Sequence, residues 1–126
     1  MTSRIEGRTA DAPQPAGPYS QAVRIGSTVA CAGQAGFTPA GELVQGVGPQ
    51  TRQTLANIGA ALASVGSSPD EVVHVRVYLT DVSQFAEMNA EYEKFFTAPY
   101  PARTTVYVTL PPGLLVEIDA LAASGS

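Results

Sequence analysis

A chain of 126 residues is the size of one domain and long enough to bury a core of its own. Seven Lys and Arg against eleven Asp and Glu give a formal net charge of −4 and a pI near 4.8; with no basic cluster the chain is poorly equipped to meet phosphate backbones, so nucleic acid is not an expected partner. No apolar run approaches the ~18 residues of a membrane span, Cys31 has no second cysteine to pair with, and a single histidine leaves no clustered metal-ligand set, so neither a membrane, a disulfide nor a metal is expected.

Only 14% of residues are charged, against about a quarter in an average soluble domain. So few charges imply an apolar surface or one hidden in an oligomer, and the oligomer is the expectation. No continuous apolar segment resembling a secretory signal opens the chain, and a cytoplasmic location is expected.

Residues 1–11 are polar and precede a proline-rich stretch; they are read as a flexible tail, with residues 1–10 left out of fold reasoning. Within them Ile5-Glu6-Gly7-Arg8 reads equally as a protease-cleavage site or as chance sequence. A single domain is expected over 12–122, with a short flexible tail over 123–126. Residues 20–25, the Gly26-Ser27 turn and the extended run TVACAGQ predict a β-hairpin. Four glycines and a proline make 36–48 a loop, with room for a short strand at Glu42-Leu43-Val44.

From Pro49, apolar Leu55, Ile58, Leu62 and Val65 recur at spacings of three and four, one face of a helix, with Arg52, Gln53 and Asn57 on the opposite side. Gly66 and Pro69 end it. Strict alternation over 72–80 sets Val73, Val75, Val77 and Leu79 against His74, Arg76, Tyr78 and Thr80, a strand. Phe85, Met88, Tyr92 and Phe95 mark a second amphipathic helix, stopped by Pro99 and Pro101. PARTTVYVTL and LLVEIDALA then read as two strands joined by a turn at Leu110–Gly113.

The order ββ(β)αβαββ predicts an α+β fold, one layer of mixed sheet with two helices on one face. The uncovered face is expected to carry His74, Arg76, Tyr78, Thr105, Tyr107 and Leu115. That mixture suits a subunit interface better than solvent. Cys31 reads as a small buried hydrophobe, His74 as an interface or surface residue, Tyr78 and Tyr107 as interface packing, and Tyr92, Phe95 and Phe96 as core.

Arg103 is the odd residue, a guanidinium opening a strand of Thr, Val and Tyr. If the last turn sets Thr105 opposite Glu117, Arg103 and Glu117 become diagonal neighbours on one sheet face, roughly 7–8 Å apart. Such a pair is either a structural ion pair fixing register, or an Arg kept free for a ligand carboxylate beside an acid that handles water or a proton. Position alone leaves both open.

Seven stretches, APQPAGPYSQAV (12–23), CAGQ (31–34), GELVQG (41–46), QTRQTLANIGAAL (50–62), VYLTDVSQFAEMNAEYEKFF (77–96), PARTTV (101–106) and VEIDALA (116–122), occur together and in order. With them the chain resembles the RidA (YjgF) family of reactive-intermediate deaminases, formerly labelled endoribonuclease L-PSP. The resemblance implies a chorismate-mutase-like α+β fold, a homotrimer with ligand clefts between subunits, and hydrolysis of enamines and imines such as 2-aminoacrylate to 2-oxo acids and ammonia, with no cofactor and no metal. It implies that Arg103 holds the substrate carboxylate, Glu117 positions the attacking water, and Tyr19 lies near the cleft. Gly33 would line the cleft with its backbone, Phe85 and Asn89 would reach it from the second helix, and Thr105 would contribute to binding the substrate. Thr105 stands where some relatives have cysteine, Ala32 where many have a hydroxyl residue, and the Leu110–Gly113 turn is one residue short. For Tyr19 a site role and plain packing weigh evenly. A carboxylate sensor or carrier using the same cleft is the second reading, and a ribonuclease the third.

Overall fold

The computed structural model describes residues 3–125. The elements follow as β1 (Ile5–Gly7), β2 (Ala22–Ile25), β3 (Thr28–Ala35), α1 (Val47–Ala63), β4 (Val72–Leu79), α2 (Phe85–Phe95), β5 (Ala102–Tyr107) and β6 (Val116–Ala123). They form one six-stranded mixed sheet in the order β1-β2-β3-β6-β4-β5, with both helices contributing to one core. Only β4 and β5 run parallel, because α2 carries the chain back to the end where β4 began.

The expected elements form where their patterns lie. Gly26, at φ 58°, opens the two-residue turn of the β2–β3 hairpin. Leu55, Ile58 and Leu62 of α1 are fully buried against Val75, Val77 and Ile118 of the sheet. Each such side chain contributes about 1.5–3 kcal/mol. Gly66, at φ 76°, follows the end of the helix in the left-handed conformation that the glycine was expected to supply. The loop after β3 makes a single bridge, Phe37 to Leu43.

Four expectations are corrected. Residues 5–7 are not a loose tail: they form edge strand β1 on β2, and Gln21 ties Thr9 down with hydrogen bonds of 2.8 and 3.0 Å. Likewise the chain past 122 is held, since Ala123 ends β6, Ser124 N–H donates to the Ser27 carbonyl at 2.7 Å and Gly125 N–H to Glu71 at 3.0 Å; residues 1, 2 and 126 lie outside the described residues. A register break between Val72 and His74 leaves Val73 48% exposed and puts Val72 in the core instead. Asn57, expected on the polar side of α1, is fully buried and donates to the carbonyls of Ala35 and Phe37, so that α1 carries a polar peg into the loop beyond β3.

The last two strands do not form a hairpin. β5 pairs with β4 alone and occupies the sheet edge, while β6 crosses back to fill the gap between β3 and β4. Val116, Ile118, Ala120 and Ala122 alternate as four buried residues, which a central strand satisfies and an edge strand would waste.

Candidate active site

This topology decides where each candidate side chain goes. In the parallel β4–β5 pair Arg103 is level with Val75, Thr105 with Val77 and Tyr107 with Leu79, so all three share the helix-covered side at the sheet's rim. Glu117 is level with Tyr78 on β6, on the uncovered face. Arg103 and Glu117 therefore lie on opposite faces with β4 between them, and the diagonal pairing expected from a terminal hairpin is overturned. The same register moves Thr105 and Tyr107 off the open face, and Leu115 packs against the core. His74, Arg76 and Tyr78 are on the open face as expected, opposite Leu121, Asp119 and Glu117.

Two separate sites result. At the rim, an open cleft of about 450 Å³ is lined by Asn89, Tyr92 and Glu93 of α2 with Tyr100, Pro101 and Arg103. The Arg103 guanidinium carbon lies 4.7 Å from the centroid of the Tyr92 ring and 5.6 Å from that of Phe85. Among the described residues Arg103 makes no salt bridge. Five of the other six cations are spoken for: Arg8 pairs with Glu6, Arg52 and Lys94 with Glu91, Arg76 with Asp119, and Arg24 donates to the carbonyls of Gly26 and Val65. Two polar atoms beside Arg103, Asn89 Oδ1 and the Tyr92 hydroxyl, are buried without a hydrogen-bond partner among the described residues. Burial pushes the Tyr92 phenol up to about 12, against the opposing pull of Arg103, so its hydroxyl stays protonated.

On the open face, half-buried Glu117 faces Gly33, which sits in the irregular stretch of β3 between Cys31 and Gln34. A Cβ on Gly33 would come within 2.8 Å of Glu117 Oε2, so only glycine gives that carboxyl its place. Burial raises the Glu117 carboxyl above its ordinary range, and the Asp119 charge adds to the shift. Asp119 itself is held by Arg76 Nε at 2.8 Å and the Tyr78 hydroxyl at 2.9 Å. A carboxyl that holds its proton more readily than usual is a candidate for acid–base work. Cys31, beneath this face, is buried and its thiol is pushed up to about 12, an inert hydrophobe as expected. Tyr19 belongs to neither site within the protomer. It is half exposed in a hollow with Arg4, Glu6 and Ser20, its hydroxyl accepting from Ala16 N–H at 3.1 Å.

A model of the family described as endoribonuclease L-PSP matches residues 9–124. The chain belongs to the RidA (YjgF) family. A RutC family protein of Pyrococcus horikoshii is 46% identical over 117 residues, covering 90% of this chain and 93% of that protein. The 2-iminobutanoate/2-iminopropanoate deaminase of Bos taurus is 42% identical over 120 residues, with 93% and 88% covered. The crystal structure of RidA from an Antarctic Psychrobacter species superposes with a TM-score of 0.91 at 41% identity, covering 94% of this chain and 98% of that one.

Within this RidA-family chain, then, Arg103, Asn89 and Phe85 gather at the rim, Gly33 and Glu117 on the open face. Sequence reasoning missed Tyr92 as a cleft residue because its helical spacing with Met88 marks it as core, which it also is: the residue is 5% exposed, and one ring face meets Arg103. Asp119 was missed too. Its signal was available, since alternation along VEIDALA puts Glu117 and Asp119 on one face.

Proposed function

We propose that this chain hydrolyses small enamines and imines of the 2-aminoacrylate type to 2-oxo acids and ammonia. The observation that carries the reading is Arg103: a cation with no carboxylate partner among the described residues, open to a cleft of small-molecule size, in a chain 42% identical to a protein named 2-iminobutanoate/2-iminopropanoate deaminase. A small imino acid offers one fixed handle, its carboxylate, and a planar two-pronged guanidinium holds that handle in one orientation.

The remaining chemistry is protonation of an enamine at its terminal carbon to give the imine, then water addition to the electrophilic imine carbon. Water oxygen bonds to the imine carbon as the C=N π pair moves to nitrogen, and the water proton passes through a base to that nitrogen. The resulting aminoalcohol then gives up its hydroxyl proton by the same route as the C=O bond forms, and the C–N bond breaks with its electron pair leaving on nitrogen as ammonia. We assign these proton transfers to Glu117, which takes the water proton as the carboxylate and returns it as the acid, and whose affinity for a proton is raised by burial. Since Arg103 and Glu117 occupy opposite faces of a protomer, the reading requires that the rim of one subunit meet the open face of another. We propose a homotrimer with three such clefts, each completed by Gly33 and Tyr19, and a cytoplasmic setting. The half-exposed Val106, Tyr107 and Leu121 are apolar surface that such contact would cover.

A second reading, a carboxylate sensor or carrier, draws on the same observation, because the Arg103 cleft exists without Glu117. Ribonuclease chemistry fits less well, since five of the seven cations are already bonded within the chain and one histidine is present. The test is a turnover assay with freshly generated 2-aminoacrylate, reading pyruvate and ammonia release. Release well above the uncatalysed rate is expected. Tight carboxylate binding without turnover would favour the sensor.

A further inference from the structure

We infer that Phe85 and Tyr92 form an aromatic clamp that positions Arg103 for a ligand carboxylate. This rests on the proposed carboxylate-binding role of Arg103 and adds what holds that arginine in place. A long side chain at a sheet rim loses considerable rotamer freedom when fixed, and proteins commonly offset that with a carboxylate. Here no carboxylate does so. Glu93 lines the same cleft, yet neither it nor any other acid among the described residues makes a salt bridge with Arg103. The guanidinium carbon instead lies over two ring faces, at 4.7 and 5.6 Å, both within the range in which the ring quadrupole attracts a cation.

The choice of partner has a chemical consequence. A carboxylate would occupy the guanidinium fork, the very N–H groups that a ligand carboxylate needs, and would have to be displaced at each binding event. Ring faces hold the flat side of the group and leave its edge N–H donors unspent. The clamp is thus a way of ordering a cation without neutralising it. Its two halves differ in rigidity. Tyr92 is buried to 5% exposure and packed on Phe96 at a centroid distance of 4.8 Å, whereas Phe85 is 39% exposed at the start of α2. Tyr92 sets the plane, and Phe85 closes over it.

The test uses the full-length protein and the stable carboxylate 2-oxobutyrate as probe, with calorimetric affinity measured alongside steady-state KM and kcat on 2-aminoacrylate. Tyr92→Leu is expected to weaken 2-oxobutyrate binding about tenfold and to raise KM by a similar factor, with kcat changed less, since the lost interaction is present in both ground and transition states. Tyr92→Phe keeps the ring face and is expected to restore most of that loss. Phe85→Leu, at an exposed position that does not threaten folding, should weaken binding about threefold. A ligand-free readout accompanies these: the Arg103 Nε–H proton resonance should be shifted by the two rings in the wild type and move toward its ordinary position in each Leu variant. Unchanged affinity and an unmoved resonance in Tyr92→Leu and Phe85→Leu would overturn the clamp. So would a Tyr92→Phe variant as weak as Tyr92→Leu, which would assign the effect to the hydroxyl. If wild-type protein binds 2-oxobutyrate but turns nothing over, the deaminase reading fails while the affinity ranking still decides the clamp.

Discussion

The rim cleft and the open-face pocket treat charge in opposite ways. At the rim a cation is left unneutralised and held by ring faces, so its field is available to whatever enters. On the open face an acid is pushed toward its neutral form by burial and by the Asp119 charge two residues along the strand. In the proposed function the first region binds an anion and the second handles a proton. β4 stands between them, with the Tyr78–Asp119–Arg76 network on the Glu117 face, so neither region reaches the other within a protomer. On the proposed function, binding and proton transfer are divided between faces, and an assembled site would join two copies.

Breaking the rim should have the largest effect. Arg103→Ala leaves a ligand carboxylate without its charged partner, a cost of roughly 3–5 kcal/mol, so kcat/KM is expected to fall by about two to four orders of magnitude. Arg103→Lys should recover only part, because a point charge cannot reproduce the two-pronged contact. Wild-type turnover in Arg103→Ala with its oligomer intact would remove this residue from the site.

Breaking the open face should separate turnover from affinity. Glu117→Gln is nearly the same size but cannot take up a proton, and kcat is expected to fall by roughly two to three orders of magnitude. Calorimetric binding of 2-oxobutyrate should stay within a fewfold of wild type. Equal losses in rate and affinity would mean that Glu117 merely helps to bind.

Why the two regions were not separable in the sequence is a matter of pairing. Period-two alternation showed that Val75 and Val77 share a face, and three-four spacing gave both helices, because those signals are local. Which strand lies beside which is not local. LLVEIDALA read as the partner of PARTTVYVTL because a short turn joins them, yet its four buried positions compete for the sheet centre and take it from a hairpin. That single exchange moved Arg103 and Glu117 to opposite faces. The identities of the candidate residues were legible through family-like motifs; their separation needed the register. Asn57 and Tyr92 fall between, since each has a position consistent with two roles and only packing decides.

Smaller changes sharpen the open-face half. Gly33→Ala would bring a methyl group within 2.8 Å of Glu117 Oε2. Since the flexible end of the glutamate can yield, the cost in stability should be under ~1 kcal/mol, read as Tm, while kcat falls about tenfold as the acid leaves its position. A wild-type rate with unchanged Tm would mean that the close approach has no function.

The smallest effect is one of pH. A carboxyl whose folded pKa is raised above its ordinary 4.5 binds more protons folded than unfolded, so its contribution to stability is present below that value and lost as pH rises through the folded one. Gln carries no such dependence. The Tm of Glu117→Gln relative to wild type should therefore rise between pH 4 and neutrality. A flat or falling difference would contradict the burial of a reluctant charge.

The central claim, that Arg103 of one subunit works with Glu117 of another, is tested by mixing two dead variants. Arg103→Ala and Glu117→Gln proteins are unfolded, combined in equal amounts and refolded, and 2-aminoacrylate hydrolysis is measured on the mixture. If the site spans subunits of a cyclic trimer, random assembly leaves about a quarter of the clefts with both native side chains, and about a quarter of wild-type activity returns. If the site lies within a subunit, no cleft is ever complete, and activity no greater than that of the two variants measured separately would contradict the account.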